Sequence, residues 1–322
     1  MRLFAVALGA LVFAGGAEAH SFGKLYNLPV PLWLYLYGAV AALLLSFVVM
    51  AWFGSQAAAA PPPSVPENRR LEPPRFLLRS AQAISLALLG LSIVSGLVGS
   101  PNPYANFNMS GFWIGFVLGF AYLVALCGPL YESLNPWALI VRGLERLTGE
   151  WQGHIARPER LGVLPALLLY MGFIWVELFG GTGPRDLSWL LLAYTGINLA
   201  GAWLLGQRAW FAQGEFFAVF LRLLALCAPV HWQQGRISWQ WPFAGLLRER
   251  TLHWSGVVFI IFMLSSTAFD GLRETVPWVK LFWKDLYASF WLPLLGGNVV
   301  ESYPRLQAIY LAWQTLALLL SP

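Results

Sequence analysis

Charge is what this sequence has least of. Only 11% of its 322 residues are Asp, Glu, Lys or Arg, under half the roughly 25% of a soluble domain. With 58% hydrophobic residues and a mean hydropathy of +0.62, that scarcity excludes an ordinary soluble fold and makes the chain an integral membrane protein. The small basic excess, 20 Lys and Arg against 15 Asp and Glu, sits between apolar runs. Topology accounts for it there, and no nucleic-acid partner is expected. Cysteine is nearly absent too. Cys127 and Cys227 both fall inside apolar segments without metal-ligand spacing, which excludes a disulfide scaffold and predicts buried free thiols. The four histidines, His20, His154, His231 and His253, all lie at span ends or in loops. Haem ligation inside a bundle needs inward-facing His within the spans, so no haem is expected. There is no phosphate-binding loop, nucleophile elbow, HExxH or paired CxxC. Aromatics are abundant, at 16% with 17 Trp, as expected of side chains that anchor a protein at both membrane interfaces.

The N-terminus has a short basic start, an apolar run Leu3–Phe13 and an Ala17-Glu18-Ala19 end. These are the three parts of a secretory signal peptide over residues 1–19. Cleavage there leaves His20 as the first mature residue, outside the cytoplasm, and residues 20–322 as a single integral membrane domain. An apolar run then joins Trp33 to Trp52, about 28 Å of helix at ~1.5 Å per residue. That matches a bilayer core of ~30 Å with a ring at each interface. Residues 54–79, rich in Ala and Pro and carrying Arg69, Arg70, Arg75 and Arg79, read as an extended cytoplasmic linker.

Further spans are expected near 80–98, 112–130, 161–179, 189–206, 215–230 and 254–269, an all-α transmembrane helix bundle of about seven to eight crossings. Residues 276–290 have an interfacial, amphipathic character, 286–300 allow a short span, and 306–320 make a short apolar run. No internal repeat is apparent. In this arrangement the inner side holds Arg69, Arg70, Arg75, Arg79, Arg142, Arg146, Arg157, Arg160, Arg208, Arg273, Lys280, Lys284 and Arg305. The outer side holds only Lys24, Arg185, Arg236, Arg248 and Arg250, the sign that the positive-inside rule requires. Three of those outer residues cluster in 231–253. If the segment 215–230 is re-entrant, everything after it inverts.

On this topology His20, His231 and His253 share the outer side with Glu177, which lies near the outer end of its span. A terminal His offers an amine and a ring nitrogen, and two further imidazoles complete a site for copper or zinc. The plainer alternative is a loose terminus and two interfacial His beside Trp232 and Trp254. Ionisable groups at membrane depth are costly unless paired or functional. Glu215 lies seven residues before Arg222, two turns along the same helix face, and the spacing predicts an ion pair. Glu177 has no such neighbour and is the expected catalytic group. Asp270 is expected to terminate its span.

The stretch His20-Ser21-Phe22-Gly23-Lys24-Leu25-Tyr26-Asn27-Leu28-Pro29-Val30-Pro31-Leu32-Trp33-Leu34-Tyr35 resembles a family of bacterial polytopic membrane proteins usually labelled fenitrothion hydrolase. Leu134-Asn135-Pro136-Trp137 and Ser266-Thr267-Ala268-Phe269-Asp270-Gly271 are similar to it as well. The resemblance implies a bacterial inner-membrane hydrolase of aryl phosphorothioate esters. Joined to the site above, it gives a metal on His20, His231 and His253 that generates hydroxide, with Glu177 serving that water. The alternatives are a transporter or metal-handling membrane protein, and a structural subunit. The lipid bilayer is the expected partner, together with a second membrane subunit or another copy of the chain. The A-x-A end predicts that N-terminal sequencing of the membrane-inserted protein returns His20, and a sequence beginning at Met1 contradicts the cleavage.

Overall fold

The computed structural model describes residues 74–155, 159–233, 236–247, 253–291, 293 and 299–321, together with 37, 40, 41, 44, 45, 47 and 48, which are helical. The signal peptide, His20 and most of the 54–79 linker lie outside the described residues. Among the described residues, four helices are long and apolar enough to cross a bilayer: α1 (Arg75–Val98), α2 (Phe107–Cys127), α6 (Pro184–Leu205) and α9 (Trp254–Arg273). Between them stand α3 (Tyr131–Leu134), α4 (Pro136–Thr148), α5 (Leu164–Phe179), α7 (Gln207–Gln213) and α8 (Phe216–Ala225). A hairpin of β1 (Val230–Gln233) and β2 (Arg236–Trp239) precedes α9. After α9 come α10 (Val276–Lys280) and α11 (Val299–Leu320). The middle of α2, Ser110–Phe120, is π-helical. Its wider turn brings Phe112, Phe116 and Phe120 into one ladder, with ring centroids 5.9 Å apart at each step.

Helix directions follow from which ends touch. The end of α1 meets the start of α6, where Ser188 Oγ donates to Ile93 O at 2.9 Å. The start of α2 is there too, with Asn108 Nδ2 donating to Pro184 O at 2.7 Å. Close approach is possible because Gly96 has no side chain, and a Cβ on it meets Asn108 and Ser188 at 2.1 Å. The opposite end of the bundle carries Arg75 and Arg79 at the start of α1, Arg142 and Arg146 in α4, Arg160 before α5 and Arg208 at the start of α7. We call it the basic end.

Two segments enter the bundle from the basic end and leave by the same end. From α2 the chain reverses at Gly128 (φ 87°) and climbs to Asn135, and α4 then descends beside α6. Trp137 Nε1 donates to Thr195 Oγ1 at 3.0 Å, and Val141 packs with Ala202 and Trp210. From α6 the chain reverses at Gly206 (φ 87°) and climbs in α7. There the Trp210 ring lies on Gly201, with Trp210 Nε1 donating to Asn198 Oδ1 at 2.8 Å. At Glu215 it turns over, and α8 descends along α5, Phe216 against Phe173 (5.1 Å) and Phe220 against Tyr170 (5.8 Å).

The expected crossing at 215–230 is therefore a re-entrant hairpin, and the conditional inversion of the chain beyond it occurs. Hydropathy alone scores an apolar hairpin and an apolar crossing alike. The consequence appears at α9, which runs parallel to α5. Val163 N donates to Ser255 Oγ at 2.8 Å where both helices begin, Tyr170 stacks on Phe259 at 4.9 Å midway, and Arg273 lies over the Phe179 ring at 5.7 Å where both end. Hence the β-hairpin and His253 belong to the basic end, not the outer side expected from the sequence. Asp270 and Arg273 belong to the opposite end, where Arg273 pairs with Asp270 (3.1 Å) and Glu274 (3.2 Å).

A repeat that the sequence pattern hides emerges from the same directions. A crossing, a returning crossing, a climb and a half-length descending helix occur as α1–α4 and again as α5–α8. Residues 80 apart take matching places: Asn135 faces Glu215, and Trp137 lies on Phe217 with rings 2° from parallel. Ala138 and Arg142 of α4 match Ala218 and Arg222 of α8. Single-cysteine labelling in sealed vesicles tests these directions. In a background lacking Cys127 and Cys227, Trp241→Cys and Arg160→Cys react from one side and Arg185→Cys from the other. Labelling of Trp241→Cys together with Arg185→Cys contradicts the parallel α5 and α9.

Candidate functional site at the hairpin tips

A helix that starts inside an apolar layer exposes N–H groups that no water can satisfy. Both half-length helices start there. Tyr194, beside Glu215, is 11 residues from the end of α6 at Leu205, about 16 Å along a helix at ~1.5 Å per residue. α6, with 22 residues, spans about 33 Å on the same rise, so Glu215 stands near mid-depth. Each helix carries its own cap. Asn135 Oδ1 accepts from Ala138 N at 3.1 Å. Glu215 Oε1 accepts from Phe217 N at 3.0 Å and Oε2 from Ala218 N at 2.7 Å. The caps then join, Asn135 Nδ2 donating to Glu215 Oε2 at 3.2 Å. The Tyr194 hydroxyl donates to Oε1.

Glu215 is fully buried, and these four donors fill its acceptor positions, the complement that an ionised carboxylate takes. Rings enclose it: Trp137 packs edge-on against Tyr194 at 4.9 Å, and Phe216 and Phe217 stand 4.0 Å apart. The Tyr131 hydroxyl, also buried, sits close to the same carboxylate. The predicted Glu215–Arg222 ion pair does not form. Arg222 instead donates to Ala212 O at 2.6 Å, because the hairpin tip takes the carboxylate away from its own helix face.

Between the two hairpins lies a cavity of about 250 Å³. One wall is Pro129, Tyr131, Glu132, Asn135 and Ala138 from the first repeat. The other is Phe211, Ala212, Ala218, Leu221 and Arg222 from the second. Three pairs of lining residues stand at the repeat spacing: Tyr131 and Phe211, Glu132 and Ala212, and Ala138 and Ala218.

The residues singled out from the sequence lie elsewhere. Glu177 is exposed on α5 near Asp270 and Arg273. His253 caps α9, its Nδ1 2.8 Å from Ser255 Oγ, beside Gly162 at the start of α5. From Leu164 to Glu177 is 13 residues, about 20 Å of helix, so Glu177 and His253 stand at opposite ends and do not meet. The backbone of His231 lies in β1 at the basic end, its side chain lies outside the described residues, and so does His20. Among the described residues no group of three or more His, Cys, Asp or Glu is placed to hold a metal ion. Cys127 and Cys227, expected to be buried, are half-buried and form no disulfide among the described residues.

Comparisons with family models, curated proteins and solved structures find no match. Asn135, within the quoted Leu134-Asn135-Pro136-Trp137, lies at the tip of the first hairpin. The signal that finds Glu215 is the 80-residue register itself, Asn135-Pro136-Trp137-Ala138 over Glu215-Phe216-Phe217-Ala218.

The cap geometry fixes a stability prediction. Glu215→Ala strands Phe217 N, Ala218 N and the Asn135 amide, at about 1–3 kcal/mol per buried donor, so a loss of about 3 kcal/mol or more is expected. Asn135→Ala and Glu215→Gln, combined in a double-mutant cycle of unfolding in detergent, couple by about 1 kcal/mol or more. A Glu215→Ala cost within the ±0.5 kcal/mol of ordinary surface substitutions contradicts the assignment.

Proposed function

We infer that this protein is a membrane transporter whose solute enters the cavity between the two re-entrant hairpins from the basic end. One observation carries the reading: two half-length helices begin at mid-depth, their caps Asn135 and Glu215 bond each other, and a cavity between them reaches Asn135. Broken helices whose N-termini meet near the membrane midplane, built from two repeats, are how secondary transporters form solute sites. Irregular backbone at that depth is tolerated where it is buried in protein or lines a cavity. The positive-inside rule assigns the basic end to the cytoplasm, with Glu177 and Arg273 facing outward, in a bacterial inner membrane. Hydrolysis of an organophosphate at a metal-bound hydroxide required Glu177 beside His20, His231 and His253. With Glu177 and His253 at opposite ends, no observation favours that reading over transport.

Reconstituted full-length protein in sealed vesicles separates the two. Uptake of radiolabelled small neutral, anionic, cationic and zwitterionic solutes is expected to exceed that of empty vesicles for at least one class. Ala218→Trp, whose ring fills the cavity, is expected to abolish it. No uptake of any class, with metal-dependent hydrolysis of an aryl phosphorothioate ester that survives Ala218→Trp, returns the assignment to a hydrolase.

A further inference from the structure

We propose that the turn 239–246, which follows the β-hairpin, is a fixed foot whose rings bind among the phospholipid headgroups at the basic end, with a preference for anionic ones. The inference stands apart from the transport reading, since it needs only the direction of α8. Depth is the first observation. α8 starts near mid-depth and has 10 residues, about 15 Å at ~1.5 Å per residue. Half of a ~30 Å bilayer core is the same length, so the chain beyond Ala225 emerges at the edge of the hydrocarbon. The turn is tied to that chain. Gln240 N donates to Pro229 O and Gln240 Nε2 to Ala228 O, both at 2.8 Å, and Phe243 N donates to Cys227 O at 3.1 Å. Gly245 lies against the Leu226 backbone, where a Cβ would stand 2.4 Å from Leu226 O.

Strain is the second. Phe243 has φ 67° and is the one non-glycine residue with a positive φ among the described residues, in a region where a bulky residue is an outlier. Such a conformation persists only where its surroundings hold it. Here Phe243 N is bonded, Ala244 N donates to Trp241 O at 3.0 Å, and Leu246 N donates to Phe243 O at 3.1 Å. What this backbone holds is not a core: Trp239 is 76% exposed, Trp241 86% and Phe243 60%. Rings turned outward on a strained, bonded backbone gain little from the protein that carries them. At the hydrocarbon edge they gain an interface that suits a side chain with an apolar body and, in Trp, one N–H donor.

Charge is the third. Arg75, Arg79, Arg146, Arg160 and Arg208 are exposed at the same end, and β2 carries Arg236. The acids there among the described side chains are Glu132, Glu145 and Glu150, and the segment 230–246 has none. Positive charge around outward rings attracts anionic headgroups within about a Debye length, ~8 Å at physiological ionic strength. It also favours a lipid leaflet over a second copy of this chain, whose own basic end would bring like charge.

Fluorine NMR of the full-length protein, labelled with 5-fluorotryptophan and reconstituted in phosphatidylcholine vesicles, tests this. Trp239→Phe and Trp241→Phe assign the two resonances, and both positions are exposed, so neither substitution disturbs the fold. A lipid nitroxide close to the glycerol backbone is expected to broaden both resonances, and one at the chain terminus to leave them sharp. Carried on phosphatidylglycerol, the glycerol-level nitroxide is expected to broaden them at least twofold more than on phosphatidylcholine at equal mole fraction. That difference is lost in about 1 M NaCl, where the Debye length is ~3 Å. Resonances untouched by either lipid place the rings in water or under a protein partner and overturn the proposal. Stronger broadening from the chain terminus places them in the hydrocarbon and overturns it too. Equal broadening by the two lipids, or a difference that survives the salt, overturns the anionic preference.

Discussion

A carboxylate at mid-depth in an apolar layer is tolerated only if other groups replace its water, and the Glu215 junction supplies them. Two backbone N–H groups come from its own helix, an amide from the other hairpin and a phenol from α6. Each of those donors needed an acceptor as much as Glu215 needed donors. The start of α8, the position of Asn135 and the rotamer of Tyr194 are thus one decision. Rings do the rest by contact. Lipid tails are as apolar as a core side chain such as Leu, so burying Trp137 against Phe217 gains little from water exclusion and much from shape. The polar junction specifies which rings meet, and the rings keep water and lipid away from the junction.

Hairpin architecture also determines what each end of the molecule contains. A crossing reverses the chain's side and a re-entrant hairpin does not, so one such segment changes the parity of everything beyond it. Here it places the exposed Trp239, Trp241 and Phe243 with the arginines of the basic end, where aromatic and cationic side chains both suit a membrane interface. It places Asp270, Arg273 and Glu274 with Glu177 at the other end. Arg273 meets Asp270 and Glu274 directly.

Long apolar helices were legible in the sequence because length and hydropathy are properties of one segment at a time. The expected 80–98, 112–130, 189–206 and 254–269 correspond to α1, α2, α6 and α9 with shifts of a few residues. Direction is a property of the whole chain, and it was lost at Glu215. Phe216–Val230 is almost uninterruptedly apolar, while the helix within it stops at Ala225, too short to cross. The outer-side grouping of His231 and His253 with Glu177 depended on that parity and dissolved with it. Glu215 was visible as an acid in an apolar run, but its partners, Asn135, 80 positions earlier, and Tyr194, 21 positions earlier, belong to other segments. An i, i+7 pairing with Arg222 is the local reading that such separation defeats.

The two repeats have kept their geometry and diverged in chemistry, and the physics of the junction requires that. Asn135 and Glu215 are equivalent positions in contact. Two glutamates there would set two carboxylates against each other at hydrogen-bond distance, where both cannot remain ionised. Two asparagines would give Tyr194 and the α8 N–H groups a single neutral oxygen to share. One amide and one acid give a donor for the acid and an acceptor for each helix start. The cavity shows the same division, with Tyr131 and Glu132 on one wall and Phe211 and Ala212 opposite. A symmetric scaffold brings two helix starts to one point, and unlike side chains at like positions make that point a site with a direction.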